Sequence, residues 1–180
     1  MTEYRRLGTE DIQRPLFASF NRRQVVTKCW RKTGGQWLVQ EAPFVDEWSE
    51  EDYDFLVSCL QNTVKTGGLV LGAFVDGALK GFVSVEAGLF GRREEYLDLS
   101  SIHVSEEIRG RGVGRELFAA AKRWAKEHGA KKLYISAHSA VETQAFYRAM
   151  GCVEAQEYHK EHVEREPFDC QLECSVQEGD

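Results

Sequence analysis

The centre of the chain alternates short apolar runs with turn residues. Leu69 to Val75 and Leu79 to Ala87 consist largely of apolar residues, and the Asp76-Gly77 pair between them is typical of a tight hairpin turn. A third run of the same kind extends from Tyr96 to Val104. Together the three runs predict three consecutive antiparallel strands.

After residue 104 the apolar residues recur at helical spacing. One helical face collects Val113, Leu117, Ala120, Ala121, Trp124 and Ala125. His128-Gly129 provides an end for that helix. Leu133 to Ser136 then predicts a buried strand, Val141 to Met150 predicts a helix that stops at Gly151, and Phe168 to Val176 predicts a last strand.

The N-terminal third of the chain gives weaker signals. Glu3 to Leu7 predicts a short strand. Thr9-Glu10-Asp11 predicts a helix start, because a hydroxyl and two acids suit the first turn of a helix. Ile12, Leu16 and Phe20 would share one face of that helix.

Two further elements are predicted before the central strands. Gln24 to Glu41 contains two β-rich runs around Gly34-Gly35, which indicates a hairpin. Ser49-Glu-Glu-Asp52 indicates a second helix start, and that helix would end near Gly67-Gly68. Its apolar stripe would consist of Phe55, Leu56, Cys59 and Leu60.

The predicted order is strand, helices, three strands, helix, strand, helix and strand. This order predicts an α/β fold, with a mixed, mostly antiparallel central sheet flanked by helices. The chain has 180 residues and contains neither an internal repeat nor a Pro/Ser-rich linker, so we expect a single domain.

Composition narrows the class of partner. Hydrophobic residues make up 42% of the chain and charged residues 29%, which is ordinary for a globular protein. The formal net charge of -6 argues against a nucleic-acid-binding surface, which needs clustered Lys and Arg. An acidic protein suits a cationic substrate, although the same charge equally serves solubility.

The sequence also bears on membrane, compartment and metal. No apolar run approaches the ~18 residues that span a bilayer, and no secretory signal follows the N-terminal basic residues. We therefore expect a cytoplasmic protein with no membrane partner. The cysteines are odd in number and lack framework spacing, which is typical of reduced thiols. His159, His162, Cys170 and Cys174 match no standard zinc-ligand spacing, so no metal site is predicted.

A glycine-rich loop separates the third central strand from the long helix. Unpaired N–H groups and a partial positive charge make a helix N-terminus a binding site for phosphate. Glycines there allow a pyrophosphate to approach the backbone, and arginines add positive charge. The glycines are Gly110, Gly112 and Gly114, and the arginines are Arg109, Arg111 and Arg115.

Two common phosphate-binding motifs do not match this loop. A P-loop would need Gly-Lys-Ser/Thr, but Gly114 is followed by Arg115-Glu116. A dinucleotide fingerprint has Gly-x-Gly-x-x-Gly after an early strand, whereas this loop has Gly-x-Gly-x-Gly late in the chain. A glycine-rich helix start without a ligand is also compatible with the residues.

Two motifs resemble one known family. Arg109-x-x-Gly112-x-Gly114 resembles the Q/R-x-x-G-x-G/A signature of GNAT acetyltransferases, which binds the CoA pyrophosphate. Leu99 to Val104 resembles the splayed central strand of that family, and Ala145 to Cys152 resembles its A-x-x-x-Y-x-x-x-G-F segment. The resemblance covers roughly Leu69 to Val153, with both motifs in the right order and spacing. It implies an acetyl-CoA-dependent enzyme.

The resemblance further implies which residues contact acetyl-CoA. The pantetheine contacts would be Ile102, His103 and Val104, and the pyrophosphate contacts would be Arg109, Gly110, Arg111, Gly112, Val113, Gly114 and Arg115. Ala140 stands where many members have a cofactor-binding Asn, with Ser139 beside it as the substitute contact, and Cys152 stands where an aromatic is common. Residues 69–153 would form the acetyl-CoA-binding core, 1–68 a substrate-side region and 154–180 a C-terminal strand region.

Acetyl transfer to an amine requires a group that removes an amine proton and a group that protonates the departing thiolate. Asp98 lies eleven residues before Arg109, where histone-type members of the family have a carboxylate base. Glu86 on the facing strand is the rival base, and a solvated strand residue is the ordinary alternative for Asp98. Tyr147 matches the tyrosine of the family, which would be the general acid, and core packing is its alternative role.

Asp46 to Asp54 concentrates six acids and two aromatic residues. This run could collect a cationic substrate, or it could be a solvated loop and helix start.

The leading prediction is acetyl transfer from acetyl-CoA to a primary amine, by direct attack in a ternary complex. The acceptor would be a small cationic molecule such as an antibiotic or polyamine. Two alternatives stay open: acetylation of a protein N-terminus or lysine, and a non-catalytic sensor that binds acyl-CoA. The sequence also allows a homodimer.

Overall fold

A computed structural model describes residues 1–177 and gives the bounds of the helices and strands. The strands are β1 Thr2–Arg6, β2 Arg23–Thr33, β3 Gln36–Glu47, β4 Leu69–Val75, β5 Ala78–Val85, β6 Tyr96–Val104, β7 Lys132–Ala137, β8 Val153–Glu154 and β9 Cys170–Ser175. The α-helices are α1 Glu50–Lys65, α2 Val113–Glu127, α3 Val141–Ala149 and α4 Lys160–Arg165. Two 3-10 helices are Arg14–Phe17 and Glu106–Ile108.

Within residues 1–177, seven strands form one mixed sheet in the order β1-β4-β5-β6-β7-β9-β8. β4, β5 and β6 are consecutive antiparallel strands, as their apolar runs predicted. The turn between β4 and β5 places Asp76 and Gly77 at positive φ, which fits the predicted tight hairpin. β6 and β7 are parallel, and the remaining neighbours are antiparallel. The predicted α/β fold is therefore confirmed.

The sheet opens between β6 and β7. These two strands pair only from Tyr96 to Asp98 and from Lys132 to Tyr134, so the rest of each strand diverges from the other. β6 also carries a bulge at Ser100, because Leu99 pairs with Val85 while Ser101 pairs with Ser84. The splay leaves two strand edges facing each other without ladder hydrogen bonds.

Helices cover both faces of the sheet and create two cores. We call the side packed against α2 and α3 the α2 face, whose core includes Leu97, Leu99, Leu117 and Tyr147. We call the other side the α1 face, where α1 and the first 3-10 helix pack. The α1 core contains Leu7, Ile12, Phe17, Phe20, Tyr53, Leu60, Val70, Phe74, Leu79 and Phe82.

β2 and β3 form the predicted hairpin as a separate two-stranded sheet, longer at both ends than its β-rich runs suggested. The hairpin reaches the segment before α3, where the Trp30 N–H donates to the Ser139 carbonyl at 2.8 Å and Cys29 bridges to Ala140. The start of β2 also lies beside α3, because the Gln24 amide donates to the Thr143 hydroxyl at 3.0 Å.

The predicted helix from Thr9 is wrong. Only the 3-10 turn Arg14–Phe17 forms there. Pro15 lies in the middle of the predicted helix, and a proline there lacks the N–H and excludes a preceding helical turn. Ile12 and Phe20 are nevertheless buried in the α1 core, so their apolar pattern reflected burial rather than a helix.

The apolar stripe predicted for α1 is only partly right. Leu60 is buried, but Phe55 is 72% exposed and Cys59 is also exposed. Tyr53 takes the place of Phe55 in the core, because its ring packs at an angle against Phe17 and edge-to-face against Trp48. The elements β8 and α4 were not predicted, since each is too short for a periodic pattern.

The start of α1 offers a test of the local structure. Ser49 accepts a hydrogen bond from the Asp52 N–H at 3.2 Å, and the Asp52 carboxylate accepts one from the Ser49 N–H at 2.8 Å. Ser49→Ala should lower the free energy of unfolding by about 1 kcal/mol, as loss of an N-cap does. Ser58→Ala is the matched control, because Ser58 is exposed inside α1 and alanine favours helix. Urea denaturation measures both, and equal effects would contradict the capping role.

Candidate active site

A cleft of about 980 Å³ occupies the opening between β6 and β7. This volume lies at the upper end of the ~300–1,000 Å³ typical of ligand pockets. Residues 99–104 of β6 and 135–137 of β7 form its strand walls, the start of α2 closes one end, and α3 lies above it. From the N-terminal part of the chain, Arg22, Gln24, Val25 and Trp48 complete the lining.

The start of α2 supplies the cleft with backbone donors. Gly110 has a φ of 81° and Gly112, the N-cap residue, a φ of 83°, which is the left-handed region that favours glycine. No side chain caps the helix, and within residues 1–177 the N–H groups from Gly110 to Arg115 have no acceptor. A Cβ at Gly110 or Gly112 would meet nothing within 4 Å, so the cradle is open. These features fit a pyrophosphate.

Gly114 serves a different purpose from the other two glycines. A Cβ there would lie 3.2 Å from the Phe146 ring and 3.6 Å from Val104. The missing side chain therefore lets the first turn of α2 pack tightly against α3 and β6. This packing fixes the direction in which the free N–H groups point.

The three arginines of the loop are placed differently. Arg109 lines the cleft, but its guanidinium donates to the carbonyls of Val104 at 3.0 Å and Arg23 at 2.7 Å, which ties the loop to the end of β6. Arg115 lines the cleft and is exposed. Arg111 is exposed outside the described lining. Arg115 is the arginine best placed to meet an anion.

The predicted pantetheine residues all line the cleft, and His103 is held most firmly. Its Nδ1 accepts a hydrogen bond from Arg22 Nε at 3.2 Å. Burial, with the positive charges of Arg22 and Arg109, holds the pKa of His103 well below its usual 6.5, so the ring is neutral. Ile102 and Val104 alternate with it and pack toward the α2 core. A neutral, rigid strand suits an uncharged ligand arm.

Tyr147 lines the cleft from the α2 face. Its ring packs against Phe118 and Phe146, with centroid distances of 6.4 and 5.3 Å. Burial raises the pKa of its phenol well above the usual range, and the charge of Asp169 acts in the same direction. The hydroxyl makes no hydrogen bond within residues 1–177 and stays protonated at neutral pH. It is therefore free to donate a proton into the cleft.

Asp98 lies in a smaller pocket that adjoins the cleft. Leu97 and Leu99 point into the α2 core, so the alternation of strand side chains directs Asp98 to the opposite face. Its Oδ2 accepts a hydrogen bond from His162 Nε2 at 2.9 Å, and its Oδ1 is buried without a partner within residues 1–177. The pocket measures about 160 Å³.

Glu86 is removed from both cavities. Its carboxylate accepts hydrogen bonds from the Thr63 hydroxyl at 2.8 and 3.0 Å and from the Ser100 hydroxyl. It does not line either described cavity. Glu86 therefore links Thr63 of α1 to Ser100 at the bulge in β6, and its role is structural.

Ser139 and its neighbour face the hairpin rather than the cleft. The Ser139 hydroxyl accepts a hydrogen bond from Arg31 at 2.6 Å, and Ala140 is buried against Cys29. Neither residue belongs to the described lining of the cleft. We therefore leave Ser139 out of the proposed cofactor contacts. Cys152 is buried in the α2 core, where it takes the place of the aromatic residue.

The acidic run from Asp46 to Asp54 is largely structural. Glu50 pairs with Arg14 at 2.7 Å, Asp52 caps α1, and Asp46 pairs with Arg22 at 3.1 Å. Only Trp48 of this run lines the cleft. The structure therefore favours the interpretation as a helix start over that of a substrate-collecting surface.

Three functional candidates come from the C-terminal segment, where sequence analysis considered His162 only as a metal ligand and did not consider the other two. Glu166 and Asp169 line both the cleft and the small pocket, and His162 lines the small pocket. Burial raises the pKa of Asp169, although a hydrogen bond from Ser136 opposes the shift. A polar cluster just before the last strand, His162 to Asp169, was the available signal.

The described residues show neither a metal site nor a membrane-spanning helix. Among residues 1–177, no group of three or more His, Cys, Asp or Glu side chains is arranged to hold a metal ion. No helix in the described chain is both long and apolar enough to cross a bilayer.

A splayed sheet with an uncapped, glycine-rich helix start at its open end defines an acyl-group transferase of the kind that the sequence motifs predicted. A model of the acetyltransferase (GNAT) family matches residues 28–152, and the chain belongs to this family. No curated protein matches the chain significantly.

Solved structures show the same fold along nearly the whole chain. A nourseothricin acetyltransferase has 20% identity and a TM-score of 0.70, covering 97% of this chain and 98% of its own. A proposed streptothricin acetyltransferase from Bacillus anthracis str. Ames, in complex with acetyl coenzyme A, has 18% identity, a TM-score of 0.68 and 96% coverage of both chains. The PaiA N-acetyltransferase of Thermoplasma acidophilum, in complex with coenzyme A, has 16% identity and a TM-score of 0.60, covering 97% and 99%.

Proposed function

We propose that the protein transfers an acetyl group from acetyl-CoA to the primary amine of a small cationic molecule, by direct attack in a ternary complex. One observation supports this most directly. The cleft passes between β6 and β7, with free N–H groups at one end and acidic side chains, Glu166 and Asp169, at the junction with the small pocket. An anionic donor and a cationic acceptor can therefore be bound together.

The donor would be held along the open end of the cleft. The N–H groups of Gly110 to Arg115 would bind its pyrophosphate, with Arg115 adding charge. The free edge of β6 from Ile102 to Val104 would pair with the amides of the pantetheine arm. Acetyl-CoA supplies an activated thioester, and the other chemical roles fall to residues of this chain.

Protons must move at two places. An alkylammonium ion has a pKa of ~10.4, so little of it is free base at neutral pH. It gives up two protons in forming an amide, of which one ends on the CoA sulfur and the other leaves to solvent. Tyr147 would donate to the sulfur from the α2 face, while the amine proton would leave on the α1 face, where Asp98 lies.

The acceptor would lie near Asp169. Two similar structures are named for acetylation of nourseothricin and streptothricin, which favours a small-molecule acceptor over a protein. A homodimer, a cytoplasmic location and the division into residues 1–68, 69–153 and 154–180 stay predictions.

An amine panel tests the proposal. Release of CoA thiol from acetyl-CoA is followed with spermidine, a streptothricin, an aminoglycoside and a lysine-containing peptide. We expect turnover with a small polycation and little with the peptide. Turnover with the peptide alone would favour protein acetylation, and acetyl-CoA binding without turnover would favour a sensor.

Asp169 should set the affinity for that amine. Loss of a hydrogen bond to a charged group costs about 1.5–3 kcal/mol, so Asp169→Asn should raise the KM for the amine about tenfold or more, with little change in the KM for acetyl-CoA. Glu51→Gln is the control, because it removes the same charge from exposed α1 surface outside both described cavities. An equal rise in both variants would indicate long-range charge rather than contact.

A further inference from the structure

The small pocket on the α1 face contains a histidine that neither family motif includes. We propose that His162 accepts the proton of the acceptor amine and that Asp98 is its positioning residue. This proposal rests on the proposed amine acetylation and assigns a catalytic group to it.

The geometry of the pair determines the state of the imidazole. His162 Nε2 lies 2.9 Å from Asp98 Oδ2. A carboxylate only accepts hydrogen bonds, so Nε2 carries the hydrogen and Nδ1 of the neutral ring carries a lone pair. Nδ1 has no hydrogen-bond partner within the described chain. The ring stacks on Tyr134 at a centroid distance of 5.9 Å and an interplanar angle of 11°, which fixes its plane.

The pocket connects this ring to the reaction space. Leu99, Ser100, Ser136, Glu166 and Asp169 line both the 160 Å³ pocket and the cleft, so the two cavities share a wall at the point where β6 and β7 separate. The pocket is polar and has room for water. A proton can therefore pass from an amine in the cleft to Nδ1 directly or through water.

The groups around His162 shift the pKa of its imidazole. The hydrogen bond that His162 donates to Asp98 raises the pKa of His162 above its usual 6.5, against the opposing effect of burial. The groups that face the ring from neighbouring elements are Asp98 on β6, Tyr134 on β7, His159 and Arg165 at the two ends of α4, and Glu166 and Asp169 after it. Histidine is the side chain whose ordinary pKa lies nearest to neutral pH, which suits a general base.

The two carboxylates considered from the sequence are less suited. Asp98 directs one oxygen at His162, and its other oxygen is buried. The Glu86 carboxylate is bound by the hydroxyls of Thr63 and Ser100. His162 combines a free lone pair with a place in the adjoining pocket, which Glu86 does not line. The amine still loses two protons in this scheme. One would end on the CoA sulfur, and the other would leave through His162 to solvent.

The test compares pH profiles of kcat/KM between about pH 5 and pH 9, using the amine of the panel with the highest turnover. The wild-type profile should fall on the acid side as His162 becomes protonated. His162→Gln should lower kcat/KM about 10²-fold at neutral pH and abolish that acid limb. His159→Asn is the control, because His159 Nδ1 accepts from the His162 N–H at the start of α4 and Asn retains an N-cap. We expect the control to keep the wild-type profile.

Asp98→Asn gives an independent readout. Removing the carboxylate lowers the pKa of His162, so the acid limb should move to lower pH while remaining present. Should Asp98 itself be the base, this variant would lose the limb and His162→Gln would retain it, which would overturn the proposal. An acid limb at the wild-type position in both variants would also overturn it. The Asp98→Asn profile decides the question even if His162→Gln does not fold.

Failure of the proposed function is recognised separately. If wild-type protein releases no CoA with any amine, amine acetylation is wrong and this proposal fails with it. If wild-type protein is active and His162→Gln matches its rate at every pH, only the assignment of His162 is wrong. A thermal shift with acetyl-CoA, which we expect to be equal in wild type and His162→Gln, shows that the donor end of the cleft is intact.

Discussion

Replacing Tyr147 with phenylalanine is expected to lower kcat about 10²-fold, while the affinity for acetyl-CoA stays near the wild-type value. The change removes one hydroxyl and retains the ring that packs against Phe118 and Phe146. General acid catalysis contributes roughly 10²–10⁴-fold, and the lower end applies because a thiol of pKa ~8.5 departs fairly well unaided. Steady-state kinetics with the best amine measures the effect.

The stability of this variant should barely change. The Tyr147 hydroxyl has no hydrogen-bond partner within residues 1–177, so its removal breaks no internal bond. Tyr53→Phe is a matched control: its hydroxyl donates to the Phe20 carbonyl at 3.1 Å in the α1 core. That variant should lose about 1 kcal/mol of stability and keep its kcat. A wild-type kcat for Tyr147→Phe would make Tyr147 a packing residue.

Gly112→Glu should abolish acetyl-CoA binding at concentrations that saturate the wild type. The new side chain would place bulk and negative charge beside the free N–H groups at the start of α2. At about one hundred times its Kd, a ligand stabilises a protein by about 2.7 kcal/mol, which a melting curve detects readily. We expect this stabilisation to disappear in the variant.

A matched control separates binding from backbone strain. Gly77 has a φ of 80°, close to the 83° of Gly112, and a Cβ at either position meets nothing within 4 Å. Gly77→Glu should therefore lower the melting temperature to a similar extent but retain the acetyl-CoA shift. If Gly112→Glu also retains the full shift, the pyrophosphate site has been assigned to the wrong loop.

The end of the cleft formed by the glycine-rich loop was predictable because it is local in sequence. The loop from Arg109 to Arg115, the strand before it and Tyr147 each lie in a segment whose spacing indicates its own structure. The apolar runs and the turn between them likewise identified β4, β5 and β6 with nearly the right ends. Arg111 shows the limit of this approach, because a loop motif does not reveal which side chains turn away from the cleft.

The contacts around the small pocket and Glu86 were not predictable, because they join residues that are distant in sequence. His162 meets Asp98 across 64 residues of chain, and Glu86 is bound by Thr63 from a different element. Such contacts depend on which face of the sheet each side chain occupies, and the bulge at Ser100 changes the alternation locally. The prediction of a helix from Thr9 was wrong because, over a short stretch, buried residues can have helical spacing without forming a helix. Pro15 prevents a regular helix in this segment.

The two sides of the cleft also differ in how they are encoded. The proposed donor wall comes from one continuous stretch between β6 and α3, whereas the proposed acceptor wall combines the start of β2, Trp48 just before α1 and the segment around α4. A substitution in one of these segments changes none of the residues in the loop from Arg109 to Arg115. The preference for an amine can therefore diverge during evolution while the half that handles the thioester is retained.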